Sequence, residues 1–244
     1  MALLVCSAYA AQIASGPLLG DSSMSEVKIW IQTDSVAECV VSYWEVDNPA
    51  ELFRTHPLVS SKRENFIVHC VADKVRSGTE YGYAVELDGK EIPIVFPEGY
   101  AEQGRIPLRF KTPEKWRHRL DNNGTPPEFR VAAGSCANIV QEGYGWEEPK
   151  YLGGDYRIFE SIYEKRPDLM IWLGDNIYLG EEDWTSRTGF FRRYDHFRKQ
   201  PYLRALNATA HHYAIWDDHD YGPNNSGESF GIRTSLWRCL SSIG

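Results

Sequence analysis

The feature that most restricts the fold is a change in hydrophobic period near residue 112. Upstream, apolar residues recur at every second position. Val27, Ile29 and Ile31 alternate with Lys28, Trp30 and Gln32, and Tyr81, Tyr83, Val85 and Leu87 alternate with Gly82, Ala84, Glu86 and Asp88. Cys39 to Trp44, Asn65 to Val71 and Leu108 to Lys111 complete the set. Successive side chains of a strand point to opposite faces, so this period specifies strands with one buried side. Asp88-Gly89 supplies a tight turn, and Pro93 confines Ile92-Pro93-Ile94 to a sheet edge. Short strands at this spacing predict an all-β sandwich of immunoglobulin or fibronectin type over residues 16–112. Nothing catalytic stands out in it.

Residues 113–127 carry Pro113, Asn122, Asn123, Gly124, Pro126 and Pro127, the composition of a linker. Beyond it, strands alternate with helices. Phe129 to Cys136 reads as a strand, and Asp155 to Lys165 as a helix with Ile158/Ile162 and Phe159/Tyr163 on one continuous apolar face. Pro167 ends that helix. Asp168 to Leu173 is a second strand, Glu181 to Leu206 loop plus helix, and His211 to Trp216 a third strand. This alternation predicts a parallel sheet over residues 128–244.

The chemistry collects where these strands end. Leu173-Gly174-Asp175-Asn176-Ile177-Tyr178 and Ala214-Ile215-Trp216-Asp217-Asp218-His219-Asp220 are apolar runs that stop abruptly in carboxylates. In open α/β sheets, ligands bind beyond the carboxyl ends of the strands. Cys136, Asp175, Tyr178, Asp218 and His219 therefore share one sheet edge and offer hard and soft donors for a metal site. Asp175 follows a Gly174 turn, where its carboxylate can bridge cations, and Tyr178 reaches the same centre if the chain turns. A thiolate with a phenolate favours a trivalent or soft first-row metal, whereas oxygen positions suit Ca²⁺ or Mg²⁺. Such a centre polarises a phosphoryl oxygen and generates a hydroxide nucleophile, with His219 protonating the leaving alkoxide or orienting the phosphate.

Plainer readings exist for each residue. An Asp after a strand is often a turn or cap residue, and a single Cys is more often a buried thiol than a ligand. His211-His212 reads as strand-face polarity, and Glu181-Glu182-Asp183 as a solvated loop. Asp218 to Gly222 imitates the start of a calcium loop, but Pro223 and Ser229 occupy positions that need Gly and Glu. Asn123, Asn207 and Asn224 open glycosylation triplets, which matter only in a eukaryotic secretory route.

Composition narrows the partners. A net charge of −8 argues against nucleic-acid binding through a basic surface. It leaves room for a phosphorylated substrate, because bound cations invert the local charge. No apolar run is long enough to span a bilayer. Met1 to Ala14 is mildly apolar without a basic start, so the leader stays ambiguous. The five cysteines (Cys6, Cys39, Cys70, Cys136 and Cys239) have no metal-finger spacing. Cys39 and Cys70 are open to either pairing or burial as free thiols.

Three ordered motifs carry a family resemblance across roughly residues 16–235. Gly134-Ser135-Cys136, Pro167-Asp168 through Tyr178, and Trp216 to Asp220 with Asn224-Asn225 resemble the PhoD-like, or alkaline phosphatase D, metallophosphatases. Gly16-Pro17-Leu18-Leu19-Gly20 followed by Val27 to Asp34 is similar to that family's N-terminal fibronectin-like domain. The resemblance implies a four-layer αββα metallophosphoesterase domain behind the β-sandwich. It also implies an exported phosphomonoesterase or phosphodiesterase that uses iron together with calcium. By motif position Cys136, Asp175, Tyr178 and Asp218 match metal ligands and His219 the catalytic histidine, with Asp217 and Asn224 in support. The substrate would be a phosphorylated small molecule, or a lipid or nucleotide ester. The family continues well past residue 244, and Arg233 to Gly244 has no clear counterpart in it. The chain is therefore expected to be truncated, which would leave one face of the sheet open. The competing expectation is a non-catalytic fragment whose sandwich serves binding or scaffolding.

Overall fold

The nine described strands before residue 112 stack as two sheets or pair with their strands. The computed structural model describes residues 10–115, 127–141, 156–184 and 186–227. Strands β1 (Ile13–Ser22), β2 (Val27–Thr33) and β6 (Ile67–Ala72) form one side. The other side has the order β4-β3-β7-β8, built from β3 (Glu38–Glu45), β4 (Asn48–Arg54), β7 (Glu80–Leu87) and β8 (Lys90–Ile92). Short strands β5 (Leu58–Val59) and β9 (Arg109–Lys111) pair with β3 and β7. Val27, Ile29, Ile31 and Cys70 from one sheet meet Val41, Tyr43, Tyr81, Val85 and Phe110 from the other. This is a sandwich core of the expected kind, and Val27, Ile29, Ile31, Tyr81 and Val85 in it are alternate residues that the sequence placed on one face.

Strand β1 was not foreseen, because Gly16, Pro17 and Gly20 read as breakers. It has a structural role larger than its composition suggests. On one edge it pairs antiparallel with β2, and on the other it pairs parallel with β12 (His211–Ile215) through Leu19 and His211. The result is a six-stranded mixed sheet in the order β10-β11-β12-β1-β2-β6, where β10 is Val131–Gly134 and β11 is Leu169–Leu173. Strands from both sides of the change in period thus share one hydrogen-bonded sheet. Strand β4 was also unforeseen, and all but one of its residues are exposed.

Among the described residues four α-helices flank this sheet: α1 (Ile158–Glu164), α2 (Glu181–Trp184), α3 (Arg187–Arg198) and α4 (Arg204–Thr209). Helices α1 and α4 cover one side of β10–β12, where Met170, Trp172, Phe159, Tyr163, Leu203 and Leu206 form a second core. Helix α3 covers the back of β2, where Trp30 meets Phe190, Phe191 and Tyr194. This burial corrects the expected polar face of β2, since Trp30 and Gln32 are only 2% and 3% exposed. Gln32 Nε2 donates to Asp195 Oδ1 at 2.9 Å and to the Asn65 carbonyl at 3.1 Å, whereas its Oε1 has no hydrogen-bond partner among the described residues.

Several other expectations need correction. Ile158 is 61% exposed, so the apolar face of α1 is narrower than its sequence implied and rests on Phe159 and Tyr163. Asp183 is fully buried in α2, paired with Arg192 and Arg193. It is not part of a solvated loop. His211 and His212 do more than add strand polarity. His211 lies between the carbonyls of Gly20 and Lys111, and His212 Nδ1 accepts from Trp172 Nε1 at 2.9 Å. Asn207 is buried in α4, which removes that glycosylation triplet from the surface. Cys39 and Cys70 are free, buried thiols, raised by burial to about 11 and about 12 respectively. Cys6, Glu147-Glu148, Asp155, residues 116–126 with the Asn123 triplet, Cys239 and residues 228–244 lie outside the described residues.

The other face of β10–β12 has no described covering. Val131, Leu173, Tyr213 and Ile215 are exposed along it. Among the described residues, then, helices pack on one side of these strands only.

Candidate metal centre

Parallel pairing aligns the three strand ends. Gly134 is in register with Trp172, and Trp172 with Ala214. Cys136 and Asp175 each lie two residues past their strands, and Asp217 two past β12. The chain turns sharply at each exit. Gly174, Asp175 and Cys136 have φ of 92°, 48° and 57°, in the left-handed region. Glycine adopts that region freely and aspartate tolerates it, but cysteine pays a steric penalty. Strain of this kind, held by surrounding structure, clusters at functional sites. Gly174 is required for a second reason: a Cβ there would lie 2.8 Å from Asp217 Cβ. The two loops approach each other through that gap.

Hydrogen bonds then fix the loops. Cys136 N–H donates to Gly174 O at 3.2 Å and Ala137 N–H to Asp175 O at 2.9 Å. Asp220, fully buried, joins the exits of β11 and β12. Its Oδ1 accepts from the N–H groups of Asn176 at 2.8 Å and Ile177 at 3.2 Å, and its Oδ2 from Asp217 N–H at 2.9 Å. Burial raises the Asp220 carboxyl to about 6, while these backbone donors pull the other way. Neither Asp220 nor Asn176 was singled out from the sequence. Both lie inside the motifs, but their spacing alone does not separate a residue that braces the loops from one that faces the cleft.

The proposed ligands surround Asp175. Its Oδ2 lies 3.3 Å from Tyr178 Oη and 3.7 Å from Cys136 Sγ. Its Oδ1 is buried and has no hydrogen-bond partner among the described residues. One ligand atom each from Asp175, Asp218 and His219 falls within 4.8 Å of the others. The His219 ring packs on Tyr178 with centroids 4.5 Å apart. Cys136 is exposed, so the reading of it as a buried thiol does not hold. Burial raises the Tyr178 phenol, with the Cys136 hydrogen bond and the Asp175 charge acting in the same direction. The Asp175 and Asp218 carboxylates bring negative charge to this cluster, which a cation would compensate.

Asp218 is engaged locally as well: its Oδ1 accepts from His219 N–H at 2.8 Å and its Oδ2 from the N–H of Asn225. Asp217 Oδ1 accepts from Asp218 N–H at 2.9 Å, capping the short 3₁₀ turn over Asp218–Asp220. Asn224 lies on an exposed turn, next to the Asn225 whose backbone holds Asp218. Cys136, Asp175, Tyr178, Asp218 and His219 are thus brought together, while Asp217 and Asn224 stand at the margin.

Comparison with known proteins agrees with this architecture. Residues 10–102 match a domain of unknown function, DUF7800. The solved structure of PhoD superposes on 97% of this chain with a TM-score of 0.67 at 17% identity. The described chain has a PhoD-like fold, and it spans 46% of the length of PhoD. The sensor domain of the anti-sigma factor RsgI4 from Pseudobacteroides cellulosolvens matches 44% of this chain at a TM-score of 0.30 and 16% identity, too low to carry an argument. No curated protein matches the sequence.

Proposed function

We propose that this chain carries the metal-binding half-site of a phosphoester hydrolase, acting on phosphate monoesters or diesters of small molecules, lipids or nucleotides. The observation that carries the proposal is the buried, unpartnered Asp175 Oδ1 amid donors from three strand ends. A buried carboxylate oxygen without a partner is costly unless something positive meets it. The donor set fits a cation, with Asp175, Asp218, His219 and Tyr178 offering hard or intermediate atoms and Cys136 a soft one. Iron with calcium suits that mixture, and other divalent ions remain alternatives within the same reading. When bound, such ions supply Lewis acidity toward a phosphoryl oxygen and make water more acidic.

The residues of the chain have distinct tasks in this reading. Asp175 holds the cation from the left-handed turn, and Asp220 and Asp217 keep its loop against that of His219. His219, seated on the Tyr178 ring, orients the phosphate and delivers a proton to the leaving alkoxide. The open face of β10–β12 supports the four-layer αββα arrangement as part of the same proposal, since a further sheet would cover it. It equally supports the second reading, a module without turnover that uses this face for binding. No described helix is long and apolar enough to cross a membrane, and export belongs to the proposal.

Metal content measured by mass spectrometry on purified protein and on Asp175→Ala tests the reading. Iron or calcium near stoichiometric amounts, at least about tenfold lower in the variant, is the expected result. Hydrolysis of a chromogenic phosphodiester should fall in parallel. Equal metal in both proteins would remove Asp175 from the site, and no metal in either would favour the binding module.

A further inference from the structure

We infer that a cationic groove along α3 is a second anion site, separate from the strand-end cluster, which takes a soluble ligand bearing several phosphate-type oxyanions. The groove encloses about 500 Å³, within the range of small-molecule sites. One wall is α3 with its C-terminal cap, carrying Arg187, Arg192 and Lys199. The other is the turn before β6, with Lys62 and Asn65. Four permanent cations therefore line one cavity of a chain whose overall charge is −8.

The carboxylate of Asp195 in the lining offsets one of them and leaves the groove cationic. Asp195 already accepts from Asn65 Nδ2 at 2.9 Å and from Gln32 Nε2 at 2.9 Å, so it braces the two walls. Arg192 is oriented from behind by the buried Asp183 and by Gln141 at 3.4 Å. Arg187 lies over the Phe191 ring, and its nearest carboxylate, Glu64 at the rim, is 3.8 Å away. Lys62 and Lys199 are exposed, one on each wall. Flexible ammonium groups around preset guanidinium planes are the pattern that recognises phosphate oxygens. The stem of α3 and the Asn65 turn are tied together by Asp195, so the spacing of the walls is set before any ligand arrives.

Isothermal titration of Asp175→Asn protein with inorganic phosphate and with tripolyphosphate tests this inference, because that background removes the Asp175 ligand from the strand-end cluster. Saturable binding is expected, tighter for tripolyphosphate than for phosphate and weakening as salt is raised. The double variant Lys62→Glu/Lys199→Glu in the same background should lose at least about tenfold in affinity. In the otherwise native chain the same double variant should leave metal content unchanged. Lys62→Gln/Lys199→Gln should give an intermediate loss, which separates charge from misfolding. Absence of saturable heat, equal affinity in the charge-reversed protein, or binding to phosphatidic acid vesicles without binding to either soluble probe would each overturn the inference. Failure of the metal reading would not affect these outcomes, and failure here would not affect the metal result.

Discussion

Ile29 and Ile215 sit in one six-stranded sheet, yet the first is fully buried and the second is 58% exposed. Around Ile29 the sheet is closed on both sides, by the sandwich core in front and by α3 behind. Around Ile215, among the described residues, it is closed on one side only. The sandwich half buries its apolar residues for stability, whereas the parallel half combines a one-sided core with strained exits that gather the candidate ligands. The same sheet is therefore a finished core at one end and an unfinished surface at the other.

The largest expected effect lies in the parallel half, at the buried charges rather than at the open face. Asp183→Ala removes the buried carboxylate shared by buried Arg193 and half-buried Arg192, leaving Arg193 the longer contact to the more exposed Glu182 at 3.6 Å. Breaking a buried pair on one side costs about 3–5 kcal/mol. Urea denaturation should show that loss. A change below about 1 kcal/mol would mean that water already reaches these guanidinium groups and that the α2–α3 corner is looser than its geometry suggests.

The closed end should answer nearly as strongly. Ile29→Ala removes a fully buried side chain at the centre of the sandwich core, with an expected loss of about 3 kcal/mol on thermal or urea unfolding. This residue also shows what the sequence made legible. The period-two alternation identified Ile29, Tyr81 and Val85 as inward-facing, because a strand with one buried face leaves that signature. It could not show that Trp30 and Gln32, on the other face, meet α3, since contact with a helix more than 150 residues away leaves no local pattern. The strand ends were legible for a related reason. Carboxylates after apolar runs have few structural explanations, so Asp175 and Asp218 stood out, while Asp220 and Asn176, which brace their loops, looked like their neighbours. Strand β1 escaped because Gly16, Pro17 and Gly20 usually interrupt strands, and its place between β2 and β12 is a tertiary fact.

Acid should distinguish the halves by location. Burial lowers the imidazoles of His196, His211 and His212, the last to about 4. A histidine held neutral by the fold takes up its proton more readily when unfolded. Its contribution is therefore complete above the unfolded value near 6.5 and is lost as pH falls toward the folded value. The change is at most about 1.4 kcal/mol per pH unit for each group. Asp220 acts in the opposite sense, because its raised carboxyl favours the folded state as pH falls from about 6. The loss at His212 is close in size to the gain at Asp220, and His196 and His211 add to the loss, so stability falls as pH drops below 6.5. His211 and His212 belong to β12 and His196 to α3, so hydrogen exchange at pH 5 should quicken first in those two elements, with β3 and β7 still protected. Opening that began in β3 and β7 would reverse the comparison.

The smallest expected effect is the most direct test of the difference between the two isoleucines. Ile215→Ala makes the same kind of deletion as Ile29→Ala, but on a face where Val131, Leu173 and Tyr213 are also exposed. Little apolar area leaves contact with protein atoms, so stability should change by no more than about 0.5 kcal/mol. The Ile29 variant is the internal control for the measurement, since both residues lie in strands of the same sheet. A loss at Ile215 approaching that at Ile29 would show that something covers this face in solution. Repeating the comparison over a range of protein concentration would then show whether the cover is a second copy, because a dimer contributes more as concentration rises whereas a cover within the chain does not.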